Sequence, residues 1–349
     1  MTLFSYKHLL YMTPLLWGCQ MMPNSVQSPV EKSTDTNWDS KNAVYEIEKA
    51  SAARFYRYTQ SLSQSLTDYC ASEQDSKAEV KQAWSTVMHS WMALQGQERG
   101  PQQALDLNWN IQFWPDKKNT LGRKMSELLG DSQVWDSQGI AEQSVTVQGV
   151  GAIEWLLYDE ASDLATNSAT CQTAIAIGQT LQGNALAINE AWQSNPWLEL
   201  SAQQWRSEYV SLLSNQLDYS MKKLSRPLAK IGQPKPYFAE SWRAKQSMTQ
   251  LKYNVQALQK LYFADGRGLD KLLRDNGSTQ VADSIGQQFS NVLASWPQQQ
   301  SVFDLLQTKQ GYRVVLNQYH KLEHLKYLLD EIAAVELGIV IGFNATDGD

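Results

Sequence analysis

The chain has 349 residues, of which 42% are hydrophobic and 19% charged. This composition excludes wholesale disorder, collagen-like repeats and low-complexity architecture, and it leaves room for two domains with sizeable cores. With 30 basic against 36 acidic side chains the net charge is −6, so there is no basic excess to mark a nucleic-acid surface.

At the N-terminus Lys7 and His8 precede an apolar run, Leu9 to Trp17, that ends in Leu16-Trp17-Gly18-Cys19. Basic, apolar and then small residues in this order read as a secretory signal, residues 1–18. Leu16 and Gly18 before Cys19 resemble the lipobox of bacterial lipoproteins, although Trp17 is bulky and Pro14 shortens the apolar segment. The resemblance implies lipid on Cys19, and Gln20 after it implies the outer membrane, periplasmic side. Residues 19–41 include a Ser/Thr/Asn/Pro-rich stretch suited to a tether. Cys70 and Cys171 then remain, either as a disulfide in an oxidising compartment or as two buried thiols.

Beyond the tether the hydrophobic period is helical almost throughout. Val44, Ile47, Phe55, Tyr58, Leu62, Leu66 and Tyr69 make one stripe, and Ser76 with Glu79 makes a capping box for the next helix. Strand-like alternation is confined to Ser144 to Gln148. A second stripe runs from Trp205 to Leu224 behind a Ser201/Gln204 cap, another from Met248 to Leu261, and the last from Val315 to Ile332. The expected fold is all-α, with two helical-bundle domains at 42–225 and 226–349 divided by the proline-rich stretch 225–237. The apolar stretch from Ala333 to Phe343 is interrupted by Glu336 and too short to span a bilayer.

Three segments depart from plain bundle sequence. One is Phe113-Trp114-Pro115-Asp116, which leads to Arg123 on a short helix with Asn119 as its expected cap. The second is Gly149-Val150-Gly151-Ala152-Ile153-Glu154-Trp155, in which Glu154 is the one ionisable group of an apolar turn. A buried carboxylate needs a partner, and Arg123 or Arg243 is the expected one, near Trp114 and Asp116. The third is the oxygen-rich end, Asn344 to Asp349, read as a docked terminus rather than a Ca²⁺ loop because it lacks EF-hand spacing.

These segments, with Glu240-Ser241-Trp242-Arg243, resemble in order the imelysin family of bacterial cell-envelope proteins. The resemblance spans roughly 42–349. It implies an exported all-helical protein, often lipid-anchored, associated with iron uptake and with iron-uptake envelope proteins as partners. Some members are classed as metallopeptidases through a Gly-x-His-x-x-Glu motif; here the matching residues are Gly149, Gly151 and Glu154, with glycine where the histidine stands.

A separate metal signal is His320-Lys321-Leu322-Glu323-His324, the His-x-x-Glu-His order of inverted zinc peptidases. It lacks an evident third ligand, so a helix face with His320 and His324 solvated or paired with neighbours, or adventitious binding of Zn²⁺, Ni²⁺ or Cu²⁺ by the pair, is the better reading. Gly266-Arg267-Gly268 has no strand before it and fails as a phosphate loop. The sequence therefore points first to a non-enzymatic binding protein with its site around Glu154, Arg123, Arg243, Trp114, Asp116, Trp242, Gly149 and Gly151. A zinc-dependent metallopeptidase and a structural envelope scaffold are the alternatives, and iron or another divalent metal is the expected cofactor if there is one.

Overall fold

The computed structural model describes residues 36–71, 77–130 and 133–339. Cys19, Ser76 and the oxygen-rich C-terminus lie outside them. The described residues are all-α, with one isolated β-bridge, Lys230 to Gln233, and no strand. The long helices are α1 (Thr36–Ala71) and α2 (Lys77–Trp91), followed by two short turns, α3 (Gln102–Leu105) and α4 (Asn108–Ile111). Then come α5 (Thr120–Gly130), α6 (Ser137–Ala141), α7 (Val150–Tyr158), α8 (Ser168–Ala191) and α9 (Ala202–Leu228). The remainder is α10 (Ser247–Phe263), α11 (Leu269–Asp275), α12 (Thr279–Ala294), α13 (Val302–Leu305), α14 (Lys309–Tyr327) and α15 (Ala334–Glu336). A π-helical turn, Leu328–Ala333, joins the last two.

The helices follow the apolar periods. Val44, Ile47, Phe55, Leu62 and Leu66 of α1 are buried, and α1 packs along α8 and α2. The Ser201/Gln204 capping box starts α9, each side chain bonding the other residue's backbone amide. That helix packs against α10 and α14. The segment expected to alternate as a strand instead forms a 3₁₀ turn, Val145–Val147, because the Ser144 side chain accepts from the Thr146 amide and closes the turn locally.

Contacts run across the expected domain boundary: α1 packs on α11 as well as on α9, and α2 touches α10. The described residues belong to one compact unit, and a division at 225/226 is not evident in it. Tryptophan supplies much of the core, with Trp84, Trp91, Trp192, Trp197 and Trp205 all buried. Trp192, Trp197, Trp205 and Tyr209 form a continuous aromatic file with centroid separations of 5.4, 5.4 and 4.9 Å. Cys70, near the end of α1, and Cys171, in the first turn of α8, form a disulfide with Cα atoms 5.6 Å apart. No described helix is long and apolar enough to cross a membrane.

Candidate functional site

The centre of the candidate site is α7. Its N-cap, Gly149, lies so close to α4 that a Cβ there would sit 2.1 Å from the Ile111 carbonyl oxygen. A Cβ on Gly151 would meet only the Leu121 Cδ1 methyl, at 2.8 Å. Gly149 therefore serves close approach of the chain to itself, whereas Gly151 faces only a movable side chain, and Trp84 Nε1 ties the same turn to α2 by donating to the Val150 carbonyl at 2.9 Å.

Glu154 follows one turn later and is 7% exposed. Its expected cationic partner is not in contact with it. Instead Oε1 accepts from the backbone amide of Ala244 at 2.9 Å, and the Arg243 amide also favours its charged form. Ser241 and Lys245 have positive φ, 45° and 57°, and bracket this stretch. The turn brings consecutive amides to one carboxylate, an anion-binding nest filled from within the chain. Main-chain amides satisfy the oxygen without burying a second full charge against it. Desolvation still dominates, and Glu154 is pushed up to about 7, with the nearby Glu240 adding to the rise and Arg243 opposing it.

Arg243 turns its side chain elsewhere: Nε pairs with Asp159 at 2.6 Å, a second nitrogen donates to Asn119 Oδ1 at 3.0 Å, and the guanidinium lies 4.3 Å from the Trp242 ring centre. Asn119 sits just before α5, but the capping is done by Asp116, whose carboxylate accepts from the amides of Thr120 at 2.7 Å and Leu121 at 2.9 Å. Asp116 is thus committed to the start of α5. Arg123 is exposed and lines an open cleft of about 390 Å³ with Asn119, Ser126, Trp155 and Asp159. Trp114 lies apart, donating to the Phe238 carbonyl at 3.2 Å and packing on Tyr219 in a second cleft of about 350 Å³. Trp242 stacks with Phe303 and meets the exposed Tyr237 edge-on.

A buried polar centre beside the site escaped the sequence reading. Lys223 of α9 pairs with Glu240, their side chains 2% and 0% exposed. Glu240 Oε1 also accepts from Gln95 Nε2 at 2.5 Å and Gln112 Nε2 at 2.9 Å, while Lys223 donates to Gln95 at 3.0 Å and Asn254 at 2.6 Å. Trp91 Nε1 completes the set by donating to Gln112 at 2.9 Å. Burial pulls the Lys223 ammonium below its ordinary value, and the Glu240 charge opposes that fall. A lysine within a helix ordinarily signals solvent, so only its spacing from the buried Gln216 and Ser220 hinted at this role.

The His320, Glu323 and His324 side chains lie on an exposed face of α14, where His320 Nδ1 is 3.1 Å from Glu323. Among the described residues no group of three or more His, Cys, Asp or Glu side chains could hold a metal ion. The donors at α7 do not fit one either, since Gly151 offers no side chain and Glu154 is engaged by a backbone amide.

Comparison with known proteins matches residues 49–329 to the Imelysin (Peptidase_M75) family. Among solved structures, an imelysin-like protein from Psychrobacter arcticum 273-4 is similar with a TM-score of 0.73 and 19% identity, over 88% of this chain and 98% of that one. A proposed iron-regulated protein A precursor from Parabacteroides distasonis ATCC 8503 is similar with a TM-score of 0.67 and 12% identity, over 84% and 94%. No curated protein matches. The family match covers most of the chain, including the α7 turn and the nest that receives Glu154, and the chain belongs to the imelysin family.

Proposed function

We propose that this imelysin family member is a lipid-anchored, periplasm-facing binding protein that serves iron acquisition and has no peptidase activity. The observation that carries the reading is the commitment of Glu154 to the Ala244 amide beside an open cleft in which Arg123 remains exposed. A peptidase centre would need that carboxylate and a neighbouring imidazole free to serve a metal or water. In this reading Gly151 takes the place of the imelysin motif's histidine; a Cβ there would lie 2.8 Å from the Leu121 Cδ1 methyl. Glu154 then acts as a staple that holds the Arg243-Asp159 pair against Asn119 and so shapes the cleft wall. Arg123 and Asn119 supply the donors for a ligand or partner group with acceptor oxygens.

Complementation of a deletion strain under iron limitation tests this. Wild type restores growth; Glu154→Gln and Arg123→Ala fold but fail to restore it, and Cys19→Ala loses membrane association. Full complementation by both site variants overturns the assignment of the site. Stoichiometric zinc retained after dialysis, with proteolysis abolished by Glu323→Gln, overturns the non-enzymatic reading.

One observation favours the scaffold alternative. Tyr237, Trp242 and Phe303 form an aromatic group whose ring centres are 4.8 to 5.8 Å apart, with Tyr237 61% exposed, a surface suited to a protein contact. Replacing Tyr237 with Ser while leaving Arg123 intact separates the two: loss of growth support only in the Tyr237 variant favours the scaffold.

A further inference from the structure

The last turns of α9 and the turn after them differ in charge from the rest of the chain. Between Asp218 and Glu240 the sequence holds Lys222, Lys223, Arg226, Lys230 and Lys235 and no acidic residue, in a chain of net charge −6. Lys223 is spent on Glu240 in the interior. Lys222, Arg226, Lys230 and Lys235 pair with no carboxylate among the described residues. Lys222 and Arg226 line the 350 Å³ cleft beside Trp109, which is 51% exposed. Glu98 is on that lining too, and Asp106, which accepts from Gln102, lies one turn before Trp109, so a positive excess remains. Past α9 the chain makes a tip. Ala229 ends the helix at φ 49°, Gly232 turns at φ 75°, and Lys230 and Gln233 bridge across them. The Lys235 amide returns to the Pro227 carbonyl at 2.8 Å, so the backbone fixes the tip, and Ile231 stands on it 90% exposed.

We propose that this end of the protein docks on an anionic phospholipid bilayer, with Lys222, Arg226, Lys230 and Lys235 among the headgroup phosphates and Ile231 entering the acyl boundary. Charge complementarity selects the surface: each cation brought near an anionic leaflet is worth roughly a factor of five in affinity. The apolar tip selects a bilayer over a dissolved polyanion, because a soluble phosphate chain offers Ile231 nothing apolar to enter. Lysine stems suit the boundary, since they lie along apolar surface while the ammonium heads stay in water. The half-exposed Trp109 ring, apolar with one polar edge, belongs at headgroup depth. This contact does not depend on lipid at Cys19, and the two attachments together hold the chain more firmly than either alone.

The test is flotation of the full chain carrying Cys19→Ala, which no lipid holds, with vesicles of phosphatidylcholine alone or mixed with phosphatidylglycerol. Tighter binding to the mixed vesicles, reversed by added salt, is expected. It weakens about tenfold or more when Lys230 and Lys235 are both replaced by Gln, and severalfold in Ile231→Ser. All three side chains are exposed, so these variants keep the fold. The apolar run near the N-terminus is common to every variant, and differences between them therefore read the α9 end. Equal binding to both vesicle types, or unchanged affinity in the lysine variant or in Ile231→Ser, overturns the proposal. Soluble polyphosphate bound as tightly as the mixed vesicles also overturns it and assigns the patch to a dissolved polyanion.

Discussion

Lys223 and Glu240 face each other from α9 and the turn after it, both almost wholly out of water, and each oxygen or ammonium left over is taken by Gln95, Gln112 or Asn254. A buried ion pair of this kind adds little to stability compared with well-packed apolar residues, yet losing one member strands the other. Lys223→Met or Glu240→Leu alone is therefore expected to cost about 3 to 5 kcal/mol. The double variant recovers a large part of that cost. Urea unfolding of the four proteins reads the coupling directly, and additive losses contradict it.

The two glycines of α7 predict opposite tolerance. Gly149→Ala places a methyl 2.1 Å from a backbone oxygen that cannot step aside, and 2.6 Å from the Asn110 carbonyl oxygen as well. A loss on the order of 3 kcal/mol is expected in thermal or urea melts. At Gly151 the obstacle is the end of the Leu121 side chain, which can change rotamer. Gly151→Ala should cost under about 1.5 kcal/mol, offset in part by the better helix propensity of alanine.

Stability should fall as pH rises through neutrality. Burial pushes Glu48 up to about 8 and Glu154 up to about 7 from an ordinary value of 4.5. The folded chain thus holds protons that the unfolded chain has released, so the benefit is full below the ordinary value and is lost as pH climbs through the raised one. His89, held low by burial, works in the opposite sense in the acid range. Between about pH 7 and pH 8.5 the carboxyls act alone among these three, and the expected loss is on the order of 1 to 2 kcal/mol. Urea midpoints of wild type should decline across that window while those of the Glu48→Gln, Glu154→Gln double variant stay flatter.

The disulfide closes a loop with a sequence separation of 101 residues. The chain-entropy model assigns a crosslink of that length roughly 4 to 5 kcal/mol, taken from the unfolded state. Replacing both Cys70 and Cys171 with Ala should lower the unfolding midpoint by a corresponding amount, with far-UV circular dichroism of the folded protein unchanged. Equal midpoints for the two proteins refute the estimate.

Helical class, the α1 and α9 faces and the Ser201/Gln204 cap were legible because each depends on residues a few positions apart. Burial of Glu154 was legible for the same reason: it is the one charge on an apolar turn. Its partner was not, because Ala244 binds it through the main chain and no side chain advertises that role. Glu48 sits on the buried face with Val44, Ser51 and Phe55, but Glu46 and Lys49 share its turn, so it fails the criterion that singled out Glu154. Assigning Asp116 to the site rather than to the α5 cap reflects a competition that local sequence leaves open, since Asn119 is an equally good capping residue type.

The polar centre has a consequence for how the chain matures. Gln95 and Gln112 reach their acceptor, Glu240, across separations of 145 and 128 residues. A polypeptide delivered from its N-terminus carries these two amides into the interior long before their acceptor has arrived. Closing that interior early would leave Gln95 with Gln112 as its acceptor and the Gln112 amide without its carboxylate, at a penalty of about 1 to 3 kcal/mol. The buried polar centre is therefore complete only once the turn after α9 joins the segments that follow α2 and α4.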